Sequence, residues 1–464
     1  MAVRLLHYSD VENAYDEPGR IGRLAGLVSA LDGPDAVVVG TGDNTAPGVL
    51  SMVTEGRQAL DFFDAVEPDA DTFGNHDFDY GPAATLDVVR ESPQTWVSAN
   101  VRRDGERFGD DAGVVPSTVV EADGARVGLV GVTEPKTGSM CPGADGLTFT
   151  DPVPAVAREA ARLRERGVDA VVVLSHLGDG DDELARATDV DAILGGHVHD
   201  ERVAEIDGTL LTRPGANGHR VLEVDLSDEN VTRHDVADAP VDEDVAASLR
   251  RRRDAAGLEE VVATVDEPLV RDRGVQGAGE CRLGNFVADA YRWAADADVG
   301  LQNTGGIREG PPLSGAVTVA DLISVVPFDE PVAVAELTGA ELATLASQAD
   351  GRRLDGVADK WHAHVSGIEI AQADDGSVAV TREGVPLDPE ATYTLATSNY
   401  LFHTEYEFPV LERRHRVDRL ATQYEVLADY ARRVGIDPAV EGRITRAEAP
   451  RGNLDTAARR CDTR

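Results

Sequence analysis

The sequence predicts an α/β fold built in two units, and three observations carry this. The chain has 464 residues, more than one simple core organises, and 42% of them are hydrophobic, enough for two cores. Up to about residue 230, Val-rich runs bounded by Gly and Asp alternate with helical patterns. Past a charged, helix-like stretch, a second series of helices and strands begins near residue 263. Continuous apolar runs are what strands covered on both faces look like, and alternation with helices supplies the covering layers.

In chain order, "VRLLHYS" reads as a strand and "IGRLAGLVSAL" as a helix. "DAVVVGTGD" is a strand, followed by a helical "VTEGRQALDFFDAV". "ARVGLVGVTEP" precedes a helical "VPAVAREAARLRERG", and "DAVVVLSHLGD" precedes "DDELARAT". "VDAILGGHVHD" and "RVLEVDLSD" close the series. Residues 241–262, "VDEDVAASLRRRRDAAGLEEVV", read as a charged helix whose Arg run is a solvated connector face. The second unit then offers a helix "NFVADAYRWAADA", a strand and loop "VGLQNTGGIREG", a helix "VTVADLISVV" and a strand in "YTLATSNYLF". The divisions expected are 1–235, a connector at 236–262, 263–450 and a loose tail at 451–464.

Composition excludes some function classes. The net charge is −40, from 84 acidic against 44 basic residues, which argues against nucleic-acid or anionic-membrane binding. Lys136 and Lys360 are the only lysines, and the acidic residues are spread along the chain. That is the pattern of a solvated acidic coat suited to high salt, where screening suppresses self-repulsion. Cys141, Cys281 and Cys461 are far apart and odd in number, so a reducing or indifferent compartment is expected. The first residues, "MAVRLLHYSD", lack a basic segment leading into a long apolar one. The expectation is therefore a cytoplasmic protein without a membrane span.

Chemistry gathers at the strand ends. The first is followed by Asp10 and Glu12, the second by Asp43, and the third leads into "TFGNHDFDYG" with Asn75, His76, Asp77 and Asp79. Later strands deliver His176 and then His197 and His199. Ligands bind at the carboxyl edge of an open α/β sheet. One carboxylate there is ordinary helix capping, but five concurring placements point to a metal centre of mixed carboxylate and imidazole donors, rich enough for two ions.

The ordered blocks D-x-E, GD, GNHxFD, SHxG and GHxH resemble the calcineurin-like metallophosphoesterases, and within them the 5′-nucleotidase branch. The resemblance implies a four-layer αββα sandwich for the first unit and two divalent ions, Mn, Zn or Co. It implies that Asp10, Glu12, Asp43 and His199 hold one ion, and that Asp43, Asn75, His176 and His197 hold the other. His76 would stabilise developing charge or protonate the leaving oxygen, with Asp79 orienting it. Asp77 has no implied role and reads as a turn or cap residue. The family usually has His at the position of Glu12; an oxygen donor there shifts preference away from Zn towards harder ions.

The resemblance continues in "GECRLGNFVADAY", "NTGGIR", "VVPFDE", "TSNYLF" and "VEGRIT", which are similar to the substrate-domain signatures of 5′-nucleotidases. It places Asn303 and Arg308 on a nucleotide, with Phe328 and Tyr400 stacking on the base. Two departures stand out. An arginine that the family often carries falls at Gly277, leaving Arg271, Arg273 or Arg282 to replace it. The family's "NGGDGF" is "HTEYEF" here, so the acid that contacts ribose falls at Tyr406, between Glu405 and Glu407.

The expected function is metal-dependent hydrolysis of nucleotide phosphate monoesters. The alternatives are a nucleotide-sugar or nucleoside-diphosphate hydrolase, a 2′,3′-cyclic-nucleotide phosphodiesterase with 3′-nucleotidase activity, and a thiosulfohydrolase of related fold. A non-catalytic nucleotide binder would show a broken His–Asp pair, and His76 and Asp79 are both present. A nucleotide is the expected partner, with the oligomeric state open.

Overall fold

A computed structural model of the chain describes residues 3–446 apart from 229, 355, 357–359 and 405. The expected tail at 451–464 with its Cys461, and Glu405, lie outside the described residues. The chain divides into two compact units, Met1–Gly257 and Leu258–Arg464.

The first unit contains two six-stranded sheets. In one, Arg4–Tyr8, Ala36–Gly40, Ala70–Asp71 and Thr95–Trp96 run parallel, and Arg220–Asp225 and Asn230–Asp235 add antiparallel strands at one edge. In the other, Ala125–Thr133, Ala170–His176, Ala192–Gly195 and Thr209–Pro214 run parallel between antiparallel edge strands Ser117–Ala122 and Glu201–Ile206. Leu5, Val37 and Val39 from the first sheet share one buried cluster with Leu129, Val172, Leu174 and Leu194 from the second, so the sheets pack face to face. The outer face of the second sheet, with Val171, Val173 and Ile193, is covered by Val156, Ala160 and Leu163 of the helix Pro152–Glu165 and by Leu184. Beyond the first sheet, Tyr8 meets Phe62 of the helix Leu60–Val66 edge-on, with ring centroids 5.3 Å apart. The result is the four-layer αββα sandwich. Strand Ala170–His176 is buried along its whole length, which is why it reads as an unbroken apolar run.

Local differences from the sequence reading have physical causes. The single helix expected over "VTEGRQALDFFDAV" is broken into Val49–Thr54 and Leu60–Val66, with Glu55 and Gly56 left-handed at φ 52° and 82° between them. The expected connector helix forms as Glu243–Ala255 and is packed within the first unit, where Asp242 N donates to Gly22 O of helix Pro18–Leu31 at 2.7 Å. Its Arg run is only half a solvated face. Arg250 and Arg251 are exposed, but Arg252 grips Asp61 through two hydrogen bonds of 2.7 and 2.8 Å, and Arg253 reaches Asp16 O.

The second unit centres on a five-stranded sheet in the order Ala363–Ser366, Val299–Asn303, Thr392–Ser398, Pro331–Thr338, Arg416–Thr422. Most of its neighbours are antiparallel; Val299–Asn303 and Thr392–Ser398 are parallel. The helix expected over "VTVADLISVV" begins at Val319, because Thr318 ends the strand Leu313–Thr318 and caps the helix in a reciprocal box with Asp321. Among the described residues, no helix is long and apolar enough to cross a membrane.

Candidate active site

The loops leaving the parallel strands of the first unit converge at one edge. Two glycines allow it. Gly42 has φ 86°, and a Cβ there would run into the Gly74 backbone and the His176 ring. At Gly74 a Cβ would overlap the Asp43 carboxylate. Asp10, Glu12, Asp43 and His197 all adopt left-handed backbone, at φ 48°, 46°, 53° and 73°. Non-glycine residues in this region cost free energy and persist where surrounding contacts over-determine them, commonly at functional sites.

Those contacts are explicit. Asp10 N donates to Gly42 O at 3.0 Å, Ser9 Oγ donates to Asp10 Oδ2 at 2.5 Å, and Asp10 Oδ1 accepts from His197 N at 3.0 Å. Asp43 Oδ1 accepts from His76 N at 2.7 Å, and its Oδ2 lies 3.0 Å from His176 Nε2. His176 Nδ1 donates to Thr41 O at 2.7 Å, which fixes the ring and leaves Nε2 facing the site. Glu12 Oε1 is 3.0 Å from His199 Nε2. His76 Nδ1 is 2.9 Å from Asp79 Oδ2.

Two groups of possible ligand atoms form, Asp10–Glu12–His199 and Asp43–His176–His197, each with its atoms within 4.8 Å of one another. Asn75 is 6% exposed, and its Oδ1 is buried without a hydrogen-bond partner. An orphaned amide oxygen on the residue before His76, whose N bonds Asp43, adds to three carboxylates and several imidazoles, and such donors fit divalent cations. A third group, Glu12–Asp43–His76, brings His76 equally close to the carboxylates.

The electrostatics describe a site with excess negative charge. Burial pushes the Asp10 carboxyl up to about 7 against the pull of His176, with the charge of Asp43 adding to the rise. At His176 burial works against a charged ring, but Asp43 and Asp10 outweigh it and hold the imidazole up to about 10. The same balance at His76, set by Asp43, Asp79 and Glu12 against burial, also reaches about 10. His197 moves the other way, down to about 4, through burial and the charge of His176.

Asp77 is more than a turn former. Its Oδ2 accepts from Asp43 N at 2.9 Å and Gly74 N at 2.7 Å, and its Oδ1 accepts from Thr45 N at 3.1 Å and Thr45 Oγ1 at 2.6 Å. It therefore ties the Asp43 loop to the Asn75–His76 turn. The only sequence signal was a second carboxylate in a motif already crowded with them.

In the second unit, Asn303 is buried and its Nδ2 donates to Glu407 Oε2 at 2.7 Å. Arg308 is exposed, with its guanidinium 4.8 Å above the half-buried Phe328 ring, so one face of that ring is already covered. Tyr400 is half-buried within electrostatic reach of Arg308 and Glu407, and no ring contact joins it to Phe328 among the described residues. The position expected for a ribose-contacting acid, Tyr406, is 62% exposed, whereas Glu407 is 7% exposed. None of the arginines weighed against Gly277 is idle. Arg271 bonds Arg308 O, Ser324 Oγ and Ser324 O; Arg273 pairs with Glu309; Arg282 bonds Pro438 O and Glu267 O.

Comparison with known proteins places this geometry. Residues 3–201 match the calcineurin-like phosphoesterase family, and residues 261–413 match the 5′-nucleotidase C-terminal domain. Endonuclease YhcR of Bacillus subtilis (strain 168) is 25% identical over 398 residues, covering 76% of this chain but only 31% of that protein. The chain thus spans about a third of that relative. An apyrase of Tabanus yao is 28% identical over 497 residues, 92% of this chain and 88% of that one. The crystal structure of a 5′-nucleotidase precursor from Thermus thermophilus aligns with a TM-score of 0.72 and 26% identity, covering 97% of this chain and 100% of that one. The chain thus joins a calcineurin-like phosphoesterase domain to a 5′-nucleotidase C-terminal domain, and it is similar over nearly its whole length to a 5′-nucleotidase structure.

Proposed function

We propose that this protein hydrolyses phosphate monoesters of nucleotides with two divalent cations. The observation that carries the reading is the intact His76–Asp79 pair standing beside a donor set with an orphaned Asn75 oxygen. Asp10, Glu12, Asp43 and His199 would hold one cation, and Asp43, Asn75, His176 and His197 the other. Cations bound there withdraw charge from the phosphoryl oxygens and make a water more acidic.

The chain's own residues do the rest. Water oxygen bonds to phosphorus as the ester P–O bond breaks, giving an alcohol and inorganic phosphate. The leaving oxygen needs a proton, and the water gives one up to solvent. Asp79 engages His76 Nδ1, so Nε2–H is the atom that faces the leaving oxygen and donates to it. In the second unit, Arg308, Phe328, Tyr400 and the Asn303–Glu407 pair offer a cation, flat faces and a carboxylate, the chemistry of a nucleotide's phosphate, base and ribose hydroxyls. Glu407, rather than Tyr406, takes the carboxylate role. The similarity to a 5′-nucleotidase precursor supports a nucleotide as the substrate.

Phosphate release from nucleoside monophosphates, diphosphates, cyclic nucleotides and nucleotide sugars tests this directly. Rapid release from monophosphates is expected; release only from diphosphates or cyclic nucleotides would move the assignment to those esters. Metal identity follows from Glu12. Its carboxylate suits Mn or Co, so Glu12→His is expected to raise the affinity for Zn relative to Mn, read by metal titration of the stripped protein. An unchanged ranking would remove Glu12 from the ligand set.

A further inference from the structure

The segment 137–149 was not singled out for function by the sequence, yet it closes over the His76–Asp79 pair. It holds a short helix, Thr137–Met140, and a tight turn, Pro142–Ala144, with Cys141 between them. Cys141 is buried, and its Sγ lies 3.5 Å from Asp79 Oδ1. Asp79 uses its other oxygen, Oδ2, for His76 Nδ1. The Asp79 carboxylate is thus shared, with an imidazole on one oxygen and a thiol on the other.

A second contact works independently on the same residue. Gly143 rests against the carbonyls of Phe78 and Asp79 so closely that a Cβ there would collide with both. The turn keeps its shape because Cys141 N donates to Thr137 O at 2.9 Å and Ala144 N to Cys141 O at 3.0 Å. Phe149 and Phe78, 5.6 Å apart edge to face, pin the far end of the segment to the same motif. The backbone of Asp79 is therefore held by Gly143 and its side chain by Cys141.

We infer that Cys141 is a positioning residue for the hydrolysis, its S–H donating to Asp79 so that the carboxylate stays turned towards His76. The thiol is suited to this because burial and the neighbouring Asp79 push it up to about 12, so it keeps its proton across the physiological range. Among the described residues the Cys141 side chain bonds Asp79 and none of the candidate metal donors, so it acts through Asp79 on the orientation of His76. With Nδ1–H committed to Asp79, a proton on Nε2 faces the leaving oxygen only while the ring keeps one direction, and a carboxylate free to rotate would let the ring turn away.

This inference rests on the hydrolytic reading, and the test separates the two. Parent, Cys141→Ala, Cys141→Val, Cys141→Ser and His76→Ala proteins are compared, metal-loaded and with metal content measured, on 5′-AMP and on p-nitrophenyl phosphate. The nitrophenolate leaves without a proton, whereas the ribose oxygen needs one. Loss of one weak hydrogen bond predicts that Cys141→Ala and Cys141→Val lower kcat on 5′-AMP about 5-fold, with KM unchanged and p-nitrophenyl phosphate changed less than about 2-fold. Cys141→Ser, which keeps a donor, restores kcat on 5′-AMP. Cys141→Val fills the same volume, so it covers the case in which the Ala variant does not fold. Equal losses on both esters, or no loss in either donor-free variant while His76→Ala is impaired, would overturn the positioning role. Full activity of His76→Ala would instead overturn the hydrolytic assignment of His76 on which it stands.

Discussion

Asp43 in the first unit and Arg308 in the second are both loop residues that follow a strand, but they are held in opposite ways. Every polar atom of Asp43 has a partner: its N donates to Asp77, its O accepts from Glu12 N, and its two carboxylate oxygens meet His76 N and His176 Nε2. The Arg308 backbone is also fixed, by Val325 O and Arg271. Its guanidinium, however, meets only the face of Phe328, with no hydrogen bond among the described residues. The first site stores strain in four left-handed residues and uses many hydrogen bonds to keep it. The second leaves the Arg308 guanidinium exposed over one face of the half-buried Phe328, where it is open to the proposed ligand. The contrast teaches that bond cleavage demands preorganised charge, whereas recognition of a nucleotide tolerates side chains that settle on binding.

Substitutions can sharpen this contrast or break it. The largest effect is expected from His76→Ala, which should lower kcat by about 10²–10⁴-fold while both metals stay bound, since His76 is assigned to proton transfer. Loss of metal in that variant would move His76 into the ligand set that it already approaches alongside Glu12 and Asp43. Next comes Asp77→Ala. It removes acceptors for four donors on two loops, and a group that orients metal ligands in this way is typically worth about 10–100-fold in metal affinity or activity. Unchanged metal affinity and turnover would mean that the loops are held without it.

In the second unit the expected loss is smaller and of another kind. Arg308→Ala should raise KM for 5′-AMP about 10-fold, the cost of one charged contact, with kcat altered by less than about 2-fold. A fall in kcat instead would show that this arginine also acts on the transition state, and would erase the distinction between the two regions. The mildest effect is general. With a net charge of −40 spread over both units, the melting temperature should rise by a few degrees between dilute buffer and molar KCl. A steady fall over that range would contradict the solvated acidic coat.

Much of the molecule was legible in the sequence. Strands such as Ala170–His176 declare themselves because burial on both faces requires apolar residues at every position. The donors at the strand ends were legible because each loop carries its own chemistry within a few residues, and the order of five such loops is informative without knowing how they meet. Helix breaks and edge strands were less so. The Glu55–Gly56 interruption depends on a left-handed turn, whereas the periodicity of the apolar residues continues through it.

Which side chains hold which others could be seen only in the folded protein. Asp77 reads as one more acid in a turn; its partners Asp43 and Thr45 lie more than 30 residues away in sequence and reach it only when two loops close on each other. Glu407 and Tyr406 are adjacent, and their composition does not say which turns inwards. Packing buries Glu407 against Asn303 and leaves Tyr406 in solvent. Cys141 reads only as one of three scattered cysteines until the turn at Gly143 seats it on Asp79. The layers and the reactive groups are readable along the chain, because burial and donor chemistry are properties of single residues and short periods. Orientation is a property of pairs distant along the chain, and it exists only once the sheets have brought their ends together.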